Sequence, residues 1–141
     1  MEGENFSDLT GKHKYFDWII ASHVIEHTPD LIGFLKNCDM IVKDDGVISL
    51  VIPDKRYCFD HYRPITGIAA VIDRHLQDNR IPSAGMVAEH FLSAVTKDGH
   101  IAWDRSVRGP YACIHDTEEV LQRMHGVRDK KEYTDVHAWC F

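Results

Sequence analysis

The sequence predicts an α/β fold organised around a βαβ unit, and three observations predict it. Phe16 to Ala21 ("FDWIIA") and Val47 to Ile52 ("VISLVI") are short apolar runs rich in β-branched and aromatic residues, the pattern of buried strands. Between them Leu31, Leu35, Cys38 and Val42 recur at helical spacing, and Phe34 and Ile41 widen that stripe. The links between these segments are short, so the two strands are expected to run parallel with a right-handed crossover.

Each element has its own signals. Residues 1–14 are polar and lack periodicity, and read as a loose leader to a single domain spanning 1–141. After the first strand, Thr28-Pro29-Asp30 has the chemistry of a helix start, with Thr28 as N-cap and Pro29 in the first helical position. Lys43 to Gly46 ("KDDG") supplies the turn that ends this helix. The second run is apolar except for Ser49 and does not alternate, which predicts a strand covered on both faces. Leu50 lies at its middle, so Leu50→Ala is expected to cost about 2–5 kcal/mol through lost burial and a cavity.

Downstream, Pro64 to about Gln77 reads as a helix carrying Ile65, Ile68, Ile72 and Leu76 on one side. Ser83 is placed to cap another, with Val87, Phe91 and Val95 facing inward. Residues 96–115 contain Gly99, Gly109 and Pro110 and read as a long irregular loop. Asp116 to Glu119 ("DTEE") is a capping-box pattern, and Gly126 stands where a C-cap would end that helix. Tyr133 to Phe141 reads as a final strand, with Thr134, Val136, Ala138 and Cys140 forming one small apolar face. The chain has no internal repeat and no low-complexity segment.

Composition narrows the function classes. With 141 residues, 44% of them hydrophobic, the chain can build one real core. A net charge of -6 argues against a nucleic-acid or anionic-membrane partner. No run approaches the ~18–20 uncharged apolar residues of a membrane span, and no signal-peptide pattern opens the sequence. Cys38, Cys58, Cys113 and Cys140 are far apart without a C-x-x-C, a usage that fits a reducing cytoplasm better than a disulfide framework or zinc ribbon. The ten histidines are scattered, so their number alone makes no metal site.

The segment with most chemical potential is Ser22 to Asp30, "SHVIEHTPD". Its H-x-x-E-H spacing (His23, Glu26, His27) matches that of a zinc hydrolase. That reading needs both histidines on one helical face, Glu26 as general base, and a third ligand such as Glu89, Glu118 or Glu119. A strand ending at residue 21 and a helix starting at Thr28 leave little room for such a helix, so no bound metal is expected. A plainer reading has these side chains fill the strand-to-helix turn. A third uses topology: in open α/β sheets, ligands bind beyond the carboxyl ends of the strands. There "SHVIEH" meets "PDKRYCFD" (Pro53 to Asp60), two polar loops at one edge of the sheet.

The stretch "FDWIIASHVIEHTPDLIGFLKNCDMIVKDDGVISLVIPDKRY" closely resembles the region around the fourth and fifth strands of class I S-adenosylmethionine-dependent methyltransferases. It is most similar to the small-molecule and sugar-pathway branch, over residues 16 to about 57; "EYTDVHAWCF" resembles the later part of such proteins more weakly. The resemblance implies a partial Rossmann-like sheet with a βαβ core and additional helices. Ser22 and Glu26 would then border the cofactor, and His23 or His27 could remove the acceptor's proton, since imidazole titrates near neutral pH. Pro53 and Asp54 match the end of the fifth strand. Arg56, Tyr57 and His61 lie in what would be a substrate-facing loop, though they match no family-wide motif.

The sequence departs from the family at the cofactor. The family's signature is a Gly-rich turn after the first strand, whose glycines let the backbone approach the ligand. None of the nine glycines here forms a G-x-G, and only fifteen residues precede Phe16. The expectation is therefore the C-terminal portion of a methyltransferase, with the N-terminal cofactor half missing. Such a chain should bind S-adenosylmethionine weakly or not at all. Two alternatives stand beside an enzyme acting on a small-molecule or sugar-type acceptor: a non-enzymatic interaction domain derived from one, and the H-x-x-E-H hydrolase. In the full family fold the first strand lies beside the fourth. Phe16 to Ala21, with Asp17 its only charge and no proline, would thus present an unprotected edge, and a homodimer or higher oligomer is expected.

Overall fold

The computed structural model describes residues 5–78, 80–130 and 133–141. Strands β1 (Phe16–Ser22) and β2 (Val42–Val51) pair in parallel, in register from Trp18 opposite Val47 to Ser22 opposite Val51. Helix α2 (Leu31–Ile41) is the crossover between them, so the βαβ unit predicted from periodicity is present. The fold is mixed α/β with a small parallel sheet.

Several boundaries differ from the sequence expectation, each for a local reason. Part of the expected leader is α1 (Phe6–Thr10), held by a capping box in which Asn5 and Asp8 satisfy each other's backbone N–H groups. Phe6 sets its ring edge-on against Phe34 of α2. Residues 1–4 of the leader lie outside the described residues. The N-cap of α2 is Asp30 rather than Thr28: its carboxylate accepts from Gly33 N at 2.9 Å. Thr28 instead donates its hydroxyl to Ile25 O at 2.8 Å, closing a 3-10 turn over Ile25–His27. Lys43 to Gly46 is no turn. Strand β2 starts at Val42, and the register jumps between Phe16 opposite Val42 and Trp18 opposite Val47, so the extra residues are absorbed as a bulge.

The expectation that β2 is covered on both faces is corrected. Trp18 (61% exposed), Ile20 (71%), Val47 and Val51 form an open apolar face of the sheet. Leu50, on the opposite face, is only half-buried. Its truncation therefore removes less than the full burial of a core leucine, and the expected 2–5 kcal/mol does not apply.

The second half of the chain carries the main core. Helix α3 (Ile68–Leu76) starts after Gly67, four residues later than the Pro64 signal suggested. Its stripe of Ile68, Ile72 and Leu76, continued by Ile65, is exposed, with Leu76 at 77%. Helix α4 (Ala84–Ser93) is capped by the Ser83 hydroxyl as predicted. The expected loop over 96–115 contains an antiparallel pair, β3 (Val95–Lys97) and β4 (Tyr111–Cys113). Helix α5 (Thr117–Lys130) begins at the predicted cap, with Asp116 accepting from Glu119 N at 2.8 Å. It continues through Gly126, because Val127 beyond it is buried in the core.

Val87 and Phe91 of α4, Val120 and Val127 of α5, and Val136 form a buried apolar cluster, with Ala88 and Met124 packed against it. Residues 133–141 form no strand and bend at Ala138. Val136 to Cys140 are nonetheless all buried, because this segment threads between the first-strand turn and α4 and satisfies its backbone there. Ala138 N and Trp139 N donate to Glu26 O at 2.5 and 3.2 Å, and the Trp139 indole donates to Thr28 O at 2.6 Å. Among the described residues, no helix is long and apolar enough to cross a membrane.

Candidate functional site

The site grows from the ends of the two parallel strands. His23 N donates to Val51 O at 3.0 Å, which ties the turn after β1 to the end of β2. His23 takes φ +53°, a left-handed conformation that a non-glycine residue adopts at a cost of roughly 1–3 kcal/mol and that clusters at functional sites. The following 3-10 turn then sends Glu26 inward and leaves His23 exposed. Glu26 is 0% exposed, and neither of its carboxylate oxygens has a hydrogen-bond partner among the described residues. His23 Nδ1 stands 3.3 Å from Glu26 Oε1 without being aligned for a hydrogen bond.

The C-terminal segment completes the site. The His27 and His137 rings meet edge to face at 4.8 Å. His137 Nδ1 pairs with the buried Asp60 carboxylate, and Phe59 lies against the same imidazole at 4.6 Å. His137 N donates to His90 Nδ1 at 3.1 Å, which fixes His90 as an acceptor. Burial pushes the His90 pKa from 6.5 down to about 4, so this imidazole is neutral at pH 7. Arg63, fully buried, organises the region. Its guanidinium donates to Glu89 at 3.1–3.2 Å, to Ala138 O at 3.1 Å and to His137 O, and it stands 3.7 Å from Asp60.

The predicted site residues divide into two groups. Ser22, His23, Glu26 and His27 lie together at the end of β1, although Glu26, expected against a cofactor, is turned into the interior. Pro53, Asp54 and Arg56 line a separate open hollow with Ile52, Ile65 and Phe141. There Arg56 holds the Asp54 carboxyl at a pKa of about 2 through paired hydrogen bonds. Tyr57 accepts from Arg105 Nε at 2.9 Å. His61 stacks on Tyr111 at 4.4 Å, while its neighbour Asp60 is the residue turned toward His137. Of the proposed third metal ligands, Glu89 is held by Arg63, Glu119 by His115 and Arg123, and Glu118 sits exposed in the first turn of α5.

Sequence reasoning missed Asp60, Arg63, His90 and His137. One signal was present: His137 interrupts the apolar run "VHAWC", where a polar side chain needs a buried partner.

No curated protein and no solved structure matches the chain. A family model described as a methyltransferase domain matches residues 1–107, a span that contains the βαβ unit, the 22–27 turn and the 53–63 loop. With three-quarters of its length matched in this way, the chain belongs to the methyltransferase-domain family.

Proposed function

We propose that this chain is the acceptor-side portion of a class I S-adenosylmethionine-dependent methyltransferase acting on a small molecule, in the branch that includes sugar-pathway enzymes. The observation that carries the reading is the family match over residues 1–107, which includes the turn after β1. Methyl transfer asks the protein to hold the sulfonium methyl in line with an acceptor atom and to accept the acceptor's proton. His23 is the residue best suited to the second task, being exposed at the strand end with its backbone fixed by Val51. His27 lies deeper, 2.9 Å from Asp135, and shapes the acceptor side. Pro53, Asp54, Arg56 and Tyr57 extend the surface available to the acceptor. The absence of any G-x-G in the 141 residues supports weak cofactor binding by this chain. Isothermal titration with S-adenosylmethionine should give a dissociation constant well above the low micromolar range; a value near 1 μM, about -8 kcal/mol, would overturn that part of the reading.

The same reading includes self-association in the cytoplasm. The open sheet face of Trp18, Ile20, Val47 and Val51, the unpaired edge of β1 and the exposed stripe of α3 support it, because apolar patches of this kind are normally covered by association. Light scattering after size exclusion at ~50 μM, enough to populate a dimer of micromolar affinity, is expected to give at least twice the 16.2 kDa chain mass. A clean monomer would exclude the dimer.

A further inference from the structure

Glu26 poses a problem that methyl transfer leaves unsolved. A carboxylate removed from water without a hydrogen bond is a costly arrangement, yet neither Glu26 oxygen has one among the described residues, and its nearest ion-pair partner is the exposed His23 imidazole, 3.3 Å from Oε1. The groups around it are imidazoles. One side-chain donor atom from each of Glu26, His27 and His137 falls within 4.8 Å of the others, and two of the three residues are buried. His137 Nδ1 is committed to Asp60, which leaves Nε2 as its free nitrogen. A carboxylate behind a histidine in this manner fixes the tautomer and raises the basicity of a metal-binding imidazole.

We propose that Glu26, His27 and His137 bind a divalent transition-metal cation of the zinc class. Two imidazoles and one carboxylate form the donor set of open zinc sites, in which a fourth position takes an oxygen ligand. Tetrahedral coordination at about 2.0–2.2 Å puts donor atoms roughly 3.3 Å apart, so the trio has to close by about 1.5 Å at its widest. His27, only partly buried, can make that adjustment. The site differs from the H-x-x-E-H hydrolase reading in both membership and roles. Its third ligand comes from the C-terminal segment, Glu26 is a ligand rather than a base, and His23 stays outside it. The neighbouring charges suit a dication: Asp60 stands behind His137 and Asp135 beside His27, while Arg63 is occupied by Glu89 and Asp60. The inference rests on this geometry alone and holds whether or not the chain transfers methyl groups.

Cobalt(II) and zinc titrations of the chelator-treated full chain test it. The expected result is one cobalt per chain, with the visible absorption of a low-coordinate site, displaced by one zinc. His27→Ala should weaken binding at least 100-fold, Glu26→Gln by a similar factor, and Asp60→Asn by about 10–100-fold as a second-layer change. Replacing the exposed His100 by Ala should change nothing. Absence of these bands at ~1 mM cobalt, where even a millimolar site half fills, would overturn the proposal. So would stoichiometric binding that persists undiminished in His27→Ala. Should Glu26→Gln fail to fold, the wild-type and His27→Ala titrations still decide.

Discussion

Replacing Arg63 by methionine is expected to cost about 3–5 kcal/mol of folding stability, the range found when one partner of a buried ionic network is removed. Arg63 has no exposed surface and serves four groups at once: Asp60, Glu89 and the carbonyls of His137 and Ala138. Methionine fills a similar volume but donates nothing. Asp60 would keep only His137, and two buried carbonyls would lose their donor. Glu89 is partly solvated, so most of the cost falls on Asp60 and the C-terminal segment. Urea unfolding monitored by the fluorescence of the fully buried Trp139 would measure it. Arg56→Met is the control: that guanidinium and its Asp54 partner are largely solvated, and exposed pairs contribute little. Equal losses for both variants would mean that Arg63 is not the organiser described.

Stability should also fall as pH drops from about 6.5 toward 4, because of His90. Its folded pKa lies near 4 against 6.5 when unfolded, mainly through burial. The sign follows from proton counting. At pH 7 both states are essentially neutral at this site and the shift contributes little. Below 6.5 the unfolded chain takes up a proton that the folded chain refuses, so unfolding becomes more favourable until the folded imidazole itself titrates near 4. The full effect is about 3 kcal/mol, of which about 2 kcal/mol is expected by pH 5. Asp60 opposes the shift, whereas Arg63, His137 and His115 reinforce it. His90→Gln keeps an acceptor for His137 N and removes the titration. The difference in urea midpoint between pH 7 and pH 5 should therefore shrink markedly in the variant. An unchanged difference would assign the acid sensitivity to other groups.

How legible this molecule is from sequence depends on whether the deciding interactions are local. The β1–α2–β2 unit was readable because its signals are spaced within a few residues of one another: apolar runs, a helical stripe and a helix-start pattern at Thr28-Pro29-Asp30. Even there, the choice of Asp30 over Thr28 as N-cap turned on Thr28 finding a different partner in Ile25 O. The Ser83 and Asp116 caps were legible for the same reason. Gly126 misled because a tertiary contact, Val127 in the core, outweighs the helix-breaking tendency of one glycine. The site was half legible. His23, Glu26 and His27 share a turn, but His137 is more than a hundred residues away in sequence, in a segment whose alternation reads as a strand. Nothing local could show that it threads against the 22–28 turn through Glu26 O and Thr28 O. Asp60 and Arg63 were hidden by their own loop, in which Arg56, Tyr57 and His61 look equally capable.

The central claim is that the ends of β1 and β2 face the cofactor and acceptor of a methyl-transfer reaction, and amide chemical-shift mapping tests it most directly. A nitrogen-15-labelled chain titrated with S-adenosylmethionine to about 5 mM, above a millimolar dissociation constant, reports even weak binding residue by residue. The account predicts saturable shifts at Ser22, His23 and the 3-10 turn that follows, extending to Asp54 through Tyr57, with helix α5 unaffected. No shifts at that concentration, or shifts confined to α4 and α5, would contradict it.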